Sequence, residues 1–401
     1  MPWVLSMGLS IALPLFAMYY YNVRVLLHAF SSQFGWDRKT VKRWVLIICV
    51  YLNLLPLLAL LAWLTGGRQA TAVFSGDVPV IDYMVVYPFW FSLVITVQMF
   101  LFFLLWETGK LVLFPLYRRF RDSWKKAEPK YVIGIFLFTL IYSTTTIYAN
   151  TWVVRVNERT VKLPEQFAPL DGFRIAQISD IQGDGRTTPA RIAEYVQRVN
   201  SLKPDLILYG GDVVTSGQTY VASTIRQLEQ LSATYGKIAA VGDHDQFSGK
   251  KPIIQGLTQA GFWVVEDSTI SLRVRDVPVI ITVLTYTYRQ RPSEEVLARA
   301  TNNGNEAFKI LLVHQPREEL VHYASERGYH IFAAGHTHGG AIAFGIPGVY
   351  LWAPSRVETK YFSGFYEVGQ MLVSVTNGLG HTLAPIRYHA PIEITLLKLA
   401  Q

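Results

Sequence analysis

Four apolar stretches fill most of the first 150 residues, at roughly 3–22, 44–65, 83–106 and 131–150. Each has the length a helix needs to cross a bilayer, about 20 residues. Inside lipid a backbone must satisfy its own hydrogen bonds, which restricts such stretches to helices. Four in succession set aside the alternative of long helices buried in a soluble core. The expectation is a four-helix transmembrane region over 1–150, a linker over 151–170 and a soluble domain over 171–401. The first stretch lacks a basic leader and a small-residue cleavage site, so it reads as a span and not a removed signal.

Charge supports this division and orients it. The net charge of +8 comes almost wholly from the first 150 residues, with 13 Lys/Arg against 6 Asp/Glu; the remainder has 24 against 23. Arg24, Arg38, Lys39, Lys42 and Arg43 lie between the first two stretches, and Lys110, Arg118, Arg119, Arg121, Lys125, Lys126 and Lys130 between the last two. The middle loop carries only Arg68, beside Asp77 and Asp82. Basic loops stay cytoplasmic. A multi-pass protein of the cell inner membrane follows, with the soluble domain on the extracytoplasmic, periplasmic side. Membrane lipids are the expected partners, through the spans and through the basic, aromatic stretch Lys110–Lys126 if it lies in the interface. Because the basic surplus sits between spans, no nucleic-acid partner is expected. A single cysteine, Cys49, allows no disulfide within the chain and no thiolate metal site. Oligomeric state is not legible.

From Phe173 onward, short apolar runs alternate with helical patterns. Arg174–Ser179 runs into Asp180, Asp205–Tyr209 into Gly210-Gly211-Asp212, and Ile238–Val241 into Gly242-Asp243-His244-Asp245. Lys309–Val313 delivers His314, and His330–Ala334 delivers Gly335-His336-Thr337-His338. Every candidate ligand thus falls just past the end of an expected strand, where sites form in α/β sheets. Two further β-rich stretches, 262–288 and 341–398, imply a second sheet and an α/β, four-layer helix–sheet–sheet–helix domain. Carboxylates and imidazoles together suit hard-to-borderline divalent ions. A pair of such ions can clamp a phosphate and activate a water. No P-loop, dinucleotide fingerprint or Ser-centred nucleophile elbow is present.

In this order, these motifs resemble the calcineurin-like metallophosphoesterase superfamily. Asn377-Gly378-Leu379-Gly380 and Pro385-Ile386-Arg387 look like its small bacterial membrane-linked branch. The resemblance implies two divalent metal ions (Mn, Zn or Fe), with Asp180, Asp212 and His338 at one and Asp212, Asp243, His314 and His336 at the other. Asp212 would bridge them. His244 would face substrate as general acid or phosphate donor, and Asp245 would orient its ring. There are two departures: Gln182 stands where the superfamily has a histidine, and Asp243 where it has an asparagine. Gln182 can still ligate through its carbonyl oxygen, though more weakly than an imidazole holds a transition metal. His381 is expected at the pocket rim; His322, His330 and His389 read as surface or core histidines.

The expected activity is metal-dependent hydrolysis of a phosphate ester or pyrophosphate. Four spans exceed what a tether needs, which favours a phosphorylated lipid or lipid-linked substrate. The resemblance also raises a lipid A precursor pyrophosphatase, but nucleotide-linked precursors are cytoplasmic and the expected topology opposes it. Two alternatives are a soluble-substrate phosphodiesterase that is merely anchored, and a catalytically weak module that recruits partners.

Overall fold

The computed structural model describes residues 3–71, 74, 76–302, 304, 306–346, 349–382 and 384–401. The chain divides into two units, Met1–Tyr148 and Ala149–Gln401.

The first unit is helical: α1 (Trp3–Phe34), α2 (Arg38–Leu52), α3 (Leu54–Thr71), α4 (Pro79–Ile81), α5 (Tyr87–Tyr117) and most of α6 (Arg121–Thr151). A π-helical turn, Asp82–Val86, joins α4 to α5. Among the described residues, two helical stretches are long and apolar enough to cross a membrane, Pro79–Leu116 and Arg118–Thr151. They contain the expected spans 83–106 and 131–150. The expected span 44–65 is instead broken: α2 and α3 meet at a 45° bend and make one span only if counted together. The break has a local cause. Asn53 leaves helical geometry (φ −108°) with its side-chain amide on the Cys49 carbonyl at 2.8 Å, and Pro56 has no N–H to give the Leu52 carbonyl, so the helix cannot run on unbroken. The expected span 3–22 lies in α1, where the side chains of 3–12 fall outside the described residues. Polar contacts join α1 to α5: Tyr19 Oη to Ser92 Oγ at 2.8 Å, and Asn22 Nδ2 donating to the Thr96 carbonyl at 2.9 Å. Leu46, Leu57, Leu61, Leu105 and Ile141 face outward, as on helices that suit lipid.

The second unit holds two six-stranded sheets. The first has the order β1 (Arg155–Lys162), β14 (Glu393–Ala400), β2 (Arg174–Ile178), β3 (Leu206–Tyr209), β4 (Lys237–Ala239), β5 (Phe262–Val264). The second runs β12 (Gly364–Val368), β13 (Met371–Val375), β9 (Ile331–Ala334), β8 (Phe308–Val313), β7 (Val277–Leu284), β6 (Ser268–Val274). Strands β2 to β5 are mutually parallel, as are β7, β8, β9 and β13. Alternation on the central strands explains the layers. Ile175, Leu206, Leu208 and Ile238 meet Val279, Ile281, Ile310, Leu312 and Ala333 in a core between the sheets. The opposite faces of β2 to β5 pack on α7 (Pro189–Ser201), α8 (Val221–Leu228) and α10 (Lys250–Gln259). Those of β7 to β9 and β13 pack under α11 (Glu294–Thr301) and α12 (Glu318–Glu326). A six-residue helix, α9 (Asp243–Ser248), begins in the metal-ligand motif itself. A small ladder, β10 (Phe344–Ile346) with β11 (Val349–Trp352), stands apart from both sheets.

The stretch 151–170, expected as a linker, is part of the domain. Strand β1 pairs parallel with β14 from Arg155↔Glu393 to Lys162↔Ala400, and Glu165–Leu170 forms a 3₁₀ turn. Its polar sequence hides the strand because β1 is a sheet edge, held by its backbone ladder to β14 more than by burial of side chains.

His330, read as a surface or core histidine, is a core contact before β9. Its Nδ1 accepts the Lys309 amide at 3.0 Å, and its ring stacks on Phe308 and meets the edge of Phe167. Burial, then the Lys309 charge, pushes it down to about 4. Its contribution to stability is therefore full above its ordinary pKa, about 6.5, and is lost as pH falls toward 4. In thermal melts of the full-length protein, His330→Phe should be less stable than wild type at pH 7. That gap should narrow below pH 5; a constant gap would contradict the buried neutral ring.

Candidate metal centre

The strand ends bring the expected ligands together. Asp180 follows β2, Asp212 follows β3, Asp243 follows β4, His314 follows β8, and His336 and His338 follow β9. Five candidates occupy left-handed backbone, namely Asp180 (φ 53°), Gln182 (50°), Asp212 (62°), His336 (71°) and His338 (50°). Such conformations cost non-glycine residues and persist where the surroundings enforce them, most often at functional sites. Two glycines permit the crowding. A Cβ on Gly211 (φ 95°) would lie 2.5 Å from the Gly242 nitrogen, and one on Gly335 2.4 Å from Asp180 Oδ2.

Hydrogen bonds aim the ligand atoms. His314 donates from Nδ1 to the Gly210 carbonyl at 2.7 Å, which leaves Nε2 lone-pair-bearing and turned to the carboxylates. That Nε2 sits 3.4 Å from both Asp212 Oδ2 and Asp243 Oδ2. Asp212 Oδ1 accepts the His244 amide at 2.8 Å, and its Oδ2 accepts from Gln182 Nε2 at 3.1 Å. Asp243 accepts the Tyr288 amide at 2.7 Å and Gln315 Nε2 at 2.6 Å, and lies 3.0 Å from His336 Nδ1. Asp180 Oδ2 accepts the His336 amide at 3.0 Å.

Two groups could each hold an ion: Asp180, Asp212 and His314, and Asp243, His314 and His336. The fit is tested by what lacks a partner. Asp180 Oδ1, Gln182 Oε1 and His314 Nε2 are buried without a hydrogen bond. Such atoms are costly unless something else satisfies them. Ligand gaps near 3.4 Å suit donors that share one ion at about 2.1 Å each. A divalent cation therefore fits these residues.

The electrostatics agree. Burial alone would lift Asp243, yet the His314 and His336 imidazoles beside it hold it well below the usual carboxylate range. Burial would lower His314, yet Asp212 and Asp243 drive it well above the ordinary imidazole value. Without a cation the histidines supply the positive charge that the carboxylates demand.

His338 lies outside both groups. Its Nε2 is 3.4 Å from Asp180 Oδ1, and its Nδ1 accepts from Arg387 Nη2 at 2.8 Å. Arg387 is fully buried and also donates to the carbonyls of His338, Asn377 and Gly380. Two expectations need correction. Asp245 does not orient the His244 ring: its carboxylate turns back to accept the amides of Gly242, Asp212 and Val213 at 2.8–2.9 Å. The reason is its place in the first turn of α9, where a carboxylate caps free N–H groups. Burial and the Asp212 charge raise it to about 6. His244 instead donates from Nδ1 to the Thr215 carbonyl at 2.5 Å. The second is His381, which is buried, only 4% exposed, and not a rim residue.

Comparison with known proteins bears on this arrangement. The model of the calcineurin-like phosphoesterase family matches residues 173–340. An uncharacterized metallophosphoesterase of Bacillus subtilis, YkuE, is 31% identical over 260 residues, covering 63% of this chain and 87% of that protein. The chain belongs to the calcineurin-like phosphoesterase family. Two further relatives are more distant. A transmembrane protein with metallophosphoesterase domain from Danio rerio is 27% identical over 62% of this chain and 57% of its own length. UDP-2,3-diacylglucosamine pyrophosphatase LpxG of Chlamydia trachomatis is 34% identical over only 116 residues, 26% of this chain and 35% of its own.

In this family member the site includes residues that sequence reading did not single out. Glu358 accepts from Tyr288 Oη at 2.6 Å, lies 3.1 Å from His336 Nε2 and pairs with Arg317 at 3.3 Å. Burial would raise Glu358, but His336 and Tyr288 bring it down to about 2. Gln315, Tyr288 and Glu358 come from loops, where no periodicity marks them; only Gln315 adjoins a motif.

Gly211→Ala should destabilise the protein by about 1–3 kcal/mol, the scale of enforced backbone strain. A melting temperature equal to wild type would show that the loop can relax. In elemental analysis of full-length protein, Asp243→Ala should lower bound divalent metal, whereas Gln182→His should retain more Zn or Mn than wild type through dialysis. Retention unchanged by Gln182→His would place that residue outside the metal shell.

Proposed function

We propose that this protein is a membrane-anchored, metal-dependent hydrolase of phosphate esters or pyrophosphates, acting on a lipid or lipid-linked substrate. One observation carries the reading: the buried, unpartnered atoms of Asp180, Gln182 and His314 that face a ring of carboxylates. Divalent metal held by Asp180, Asp212 and His314 and by Asp243, His314 and His336 would supply positive charge for a phosphate group and acidify a water. His338, whose Nδ1 accepts from Arg387, keeps its proton on Nε2 toward Asp180. The chain's own residues do the rest. Gly210 fixes the His314 tautomer. Thr215 holds the Nδ1–H of His244, so Nε2 is the nitrogen presented to substrate, and the doubly protonated ring would give its Nε2 proton to the leaving oxygen. Asp245 clamps the backbone under Asp212 and Asp243.

The lipid assignment draws support from the apolar helices, two of them long enough to cross a membrane and a third if the bent α2–α3 pair is one span, and from a relative named as a diacylglucosamine pyrophosphatase. The second reading, a weak module that recruits partners, is favoured by one contact. The Gln182 amide donates to Asp212 Oδ2 and so engages a ligand oxygen.

The test uses full-length protein reloaded with Mn, Zn or Fe and assayed on phosphatidic acid in vesicles and on bis(p-nitrophenyl) phosphate. Turnover of the vesicle lipid above the soluble ester is expected. Asp212→Ala should reduce it by more than about a hundredfold, since even outer-shell partners of a metal cost up to about that much. Metal-loaded protein that turns over neither class would leave the recruiting module.

A further inference from the structure

The metal motif continues into an element that joins neither sheet and meets the domain at its root, where the buried Phe344 packs on Tyr388. After His338 the chain forms β10 and β11, a two-stranded ladder bonded to neither sheet. A lone hairpin is marginal in water and needs something to cover it. On an ordinary half-buried strand one of two successive side chains would be covered, yet Leu351 and Trp352 are 60% and 50% exposed. Val357, five residues on, is 85% exposed. The Trp352 indole is not loose, because it stacks on the buried Phe344 ring at 6.3 Å. Arg356, over the Phe362 ring, and the exposed Lys360 lie in the same segment; Lys360 pairs with Glu318 at 3.4 Å, an exposed pair that an anionic headgroup can replace.

The hairpin root is built into the metal centre. A Cβ on Gly340, the last residue of the His336–Gly340 motif, would lie 2.8 Å from Ala353 Cβ. Glu358, next to Val357, reaches His336. An apolar, basic-flanked projection thus starts and ends within contact of a metal-ligand motif.

We infer that Leu351, Trp352 and Val357 insert into the interface of a bilayer containing anionic lipid, bringing the membrane surface to the mouth of the metal centre. The chemistry selects this occupant. Tryptophan with aliphatic neighbours favours the headgroup boundary, and adjacent Arg and Lys favour anionic lipid. The same chain carries helices suited to a bilayer, the last of which ends at Thr151, four residues before β1. The inference deepens the lipid-substrate reading and rests on it for purpose, though not for its test.

In a Cys49→Ser background, a fluorophore on Leu351→Cys or Val357→Cys is followed in full-length protein reconstituted into phosphatidylcholine–phosphatidylglycerol vesicles. Asp276→Cys, on a fully exposed turn, is the control. Spin-labelled lipids should quench the label at 351 and 357 and spare it at 276, with less quenching when phosphatidylglycerol is omitted. Equal quenching at all three positions overturns the inference, as does cross-linking between two copies through 351 without quenching. Turnover separates this result from the substrate reading. Leu351→Ser/Trp352→Ser/Val357→Ser should hydrolyse vesicle phosphatidic acid about tenfold more slowly, as expected when interfacial apolar area is lost. Quenching at 351 in a protein that hydrolyses no lipid phosphate upholds docking and removes the lipid substrate. Lipid hydrolysis without quenching removes docking alone.

Discussion

Three carboxylates, Asp180, Asp212 and Asp243, are held in the interior within a few ångströms of one another's ligand neighbours, with almost no exposure to water. Their mutual repulsion is strong in a medium of low dielectric, and a fold that gathers them must supply compensating positive charge. In this chain that role falls to His314 and His336, whose imidazoles beside Asp243 keep it ionised. A divalent cation would meet the same demand more fully, with charge of its own and satisfaction of the orphaned atoms. Much of the local architecture follows from this arrangement. It includes left-handed backbone at five candidate ligands, glycines where chains cross, and the Asp245 carboxylate binding three amides beneath Asp212 and Asp243.

The two sheets make the gathering possible by ending their parallel strands at one edge. Strands β2, β3 and β4 deliver aspartates, and β8 and β9 deliver histidines, so each sheet contributes one ligand chemistry. The C-terminal segment then closes the site from behind. Strand β14 inserts between β1 and β2, and the loop before it carries Arg387 into the interior, where the guanidinium holds the His338 ring and three carbonyls. Burial lowers Arg387 to about 10, still charged at neutral pH. The last residues of the chain therefore stabilise the first ligand motifs, a long-range dependence that ties the metal centre to completion of the whole domain.

The candidate ligands' places at strand ends and the central strands were legible because both leave local marks. Each ligand follows an apolar run of four to six residues, and glycine punctuates the turn, so strand end and chemistry are written next to each other. Edge strand β1 was not legible, since Arg155–Lys162 is polar and owes its place to pairing with residues more than 230 positions away. The break between α2 and α3 was hidden for a different reason. Hydropathy measures apolarity over a window, whereas the bend depends on single residues, Pro56 with no N–H for the Leu52 carbonyl and Asn53 with its side chain on the Cys49 carbonyl.

The sequence by itself determined the chemistry of the centre: which carboxylates and imidazoles occur, in what order, and at which strand ends. It also determined the apolar character of the N-terminal helices. Only the tertiary structure decided the partners of those groups. It turned Asp245 from His244 to the backbone, gave His244 to Thr215, set Arg387 against His338, and joined Glu358 to His336. The physical reason is that ligand identity is a property of the residue, whereas orientation is fixed by hydrogen bonds between segments that are close only after the sheets have packed.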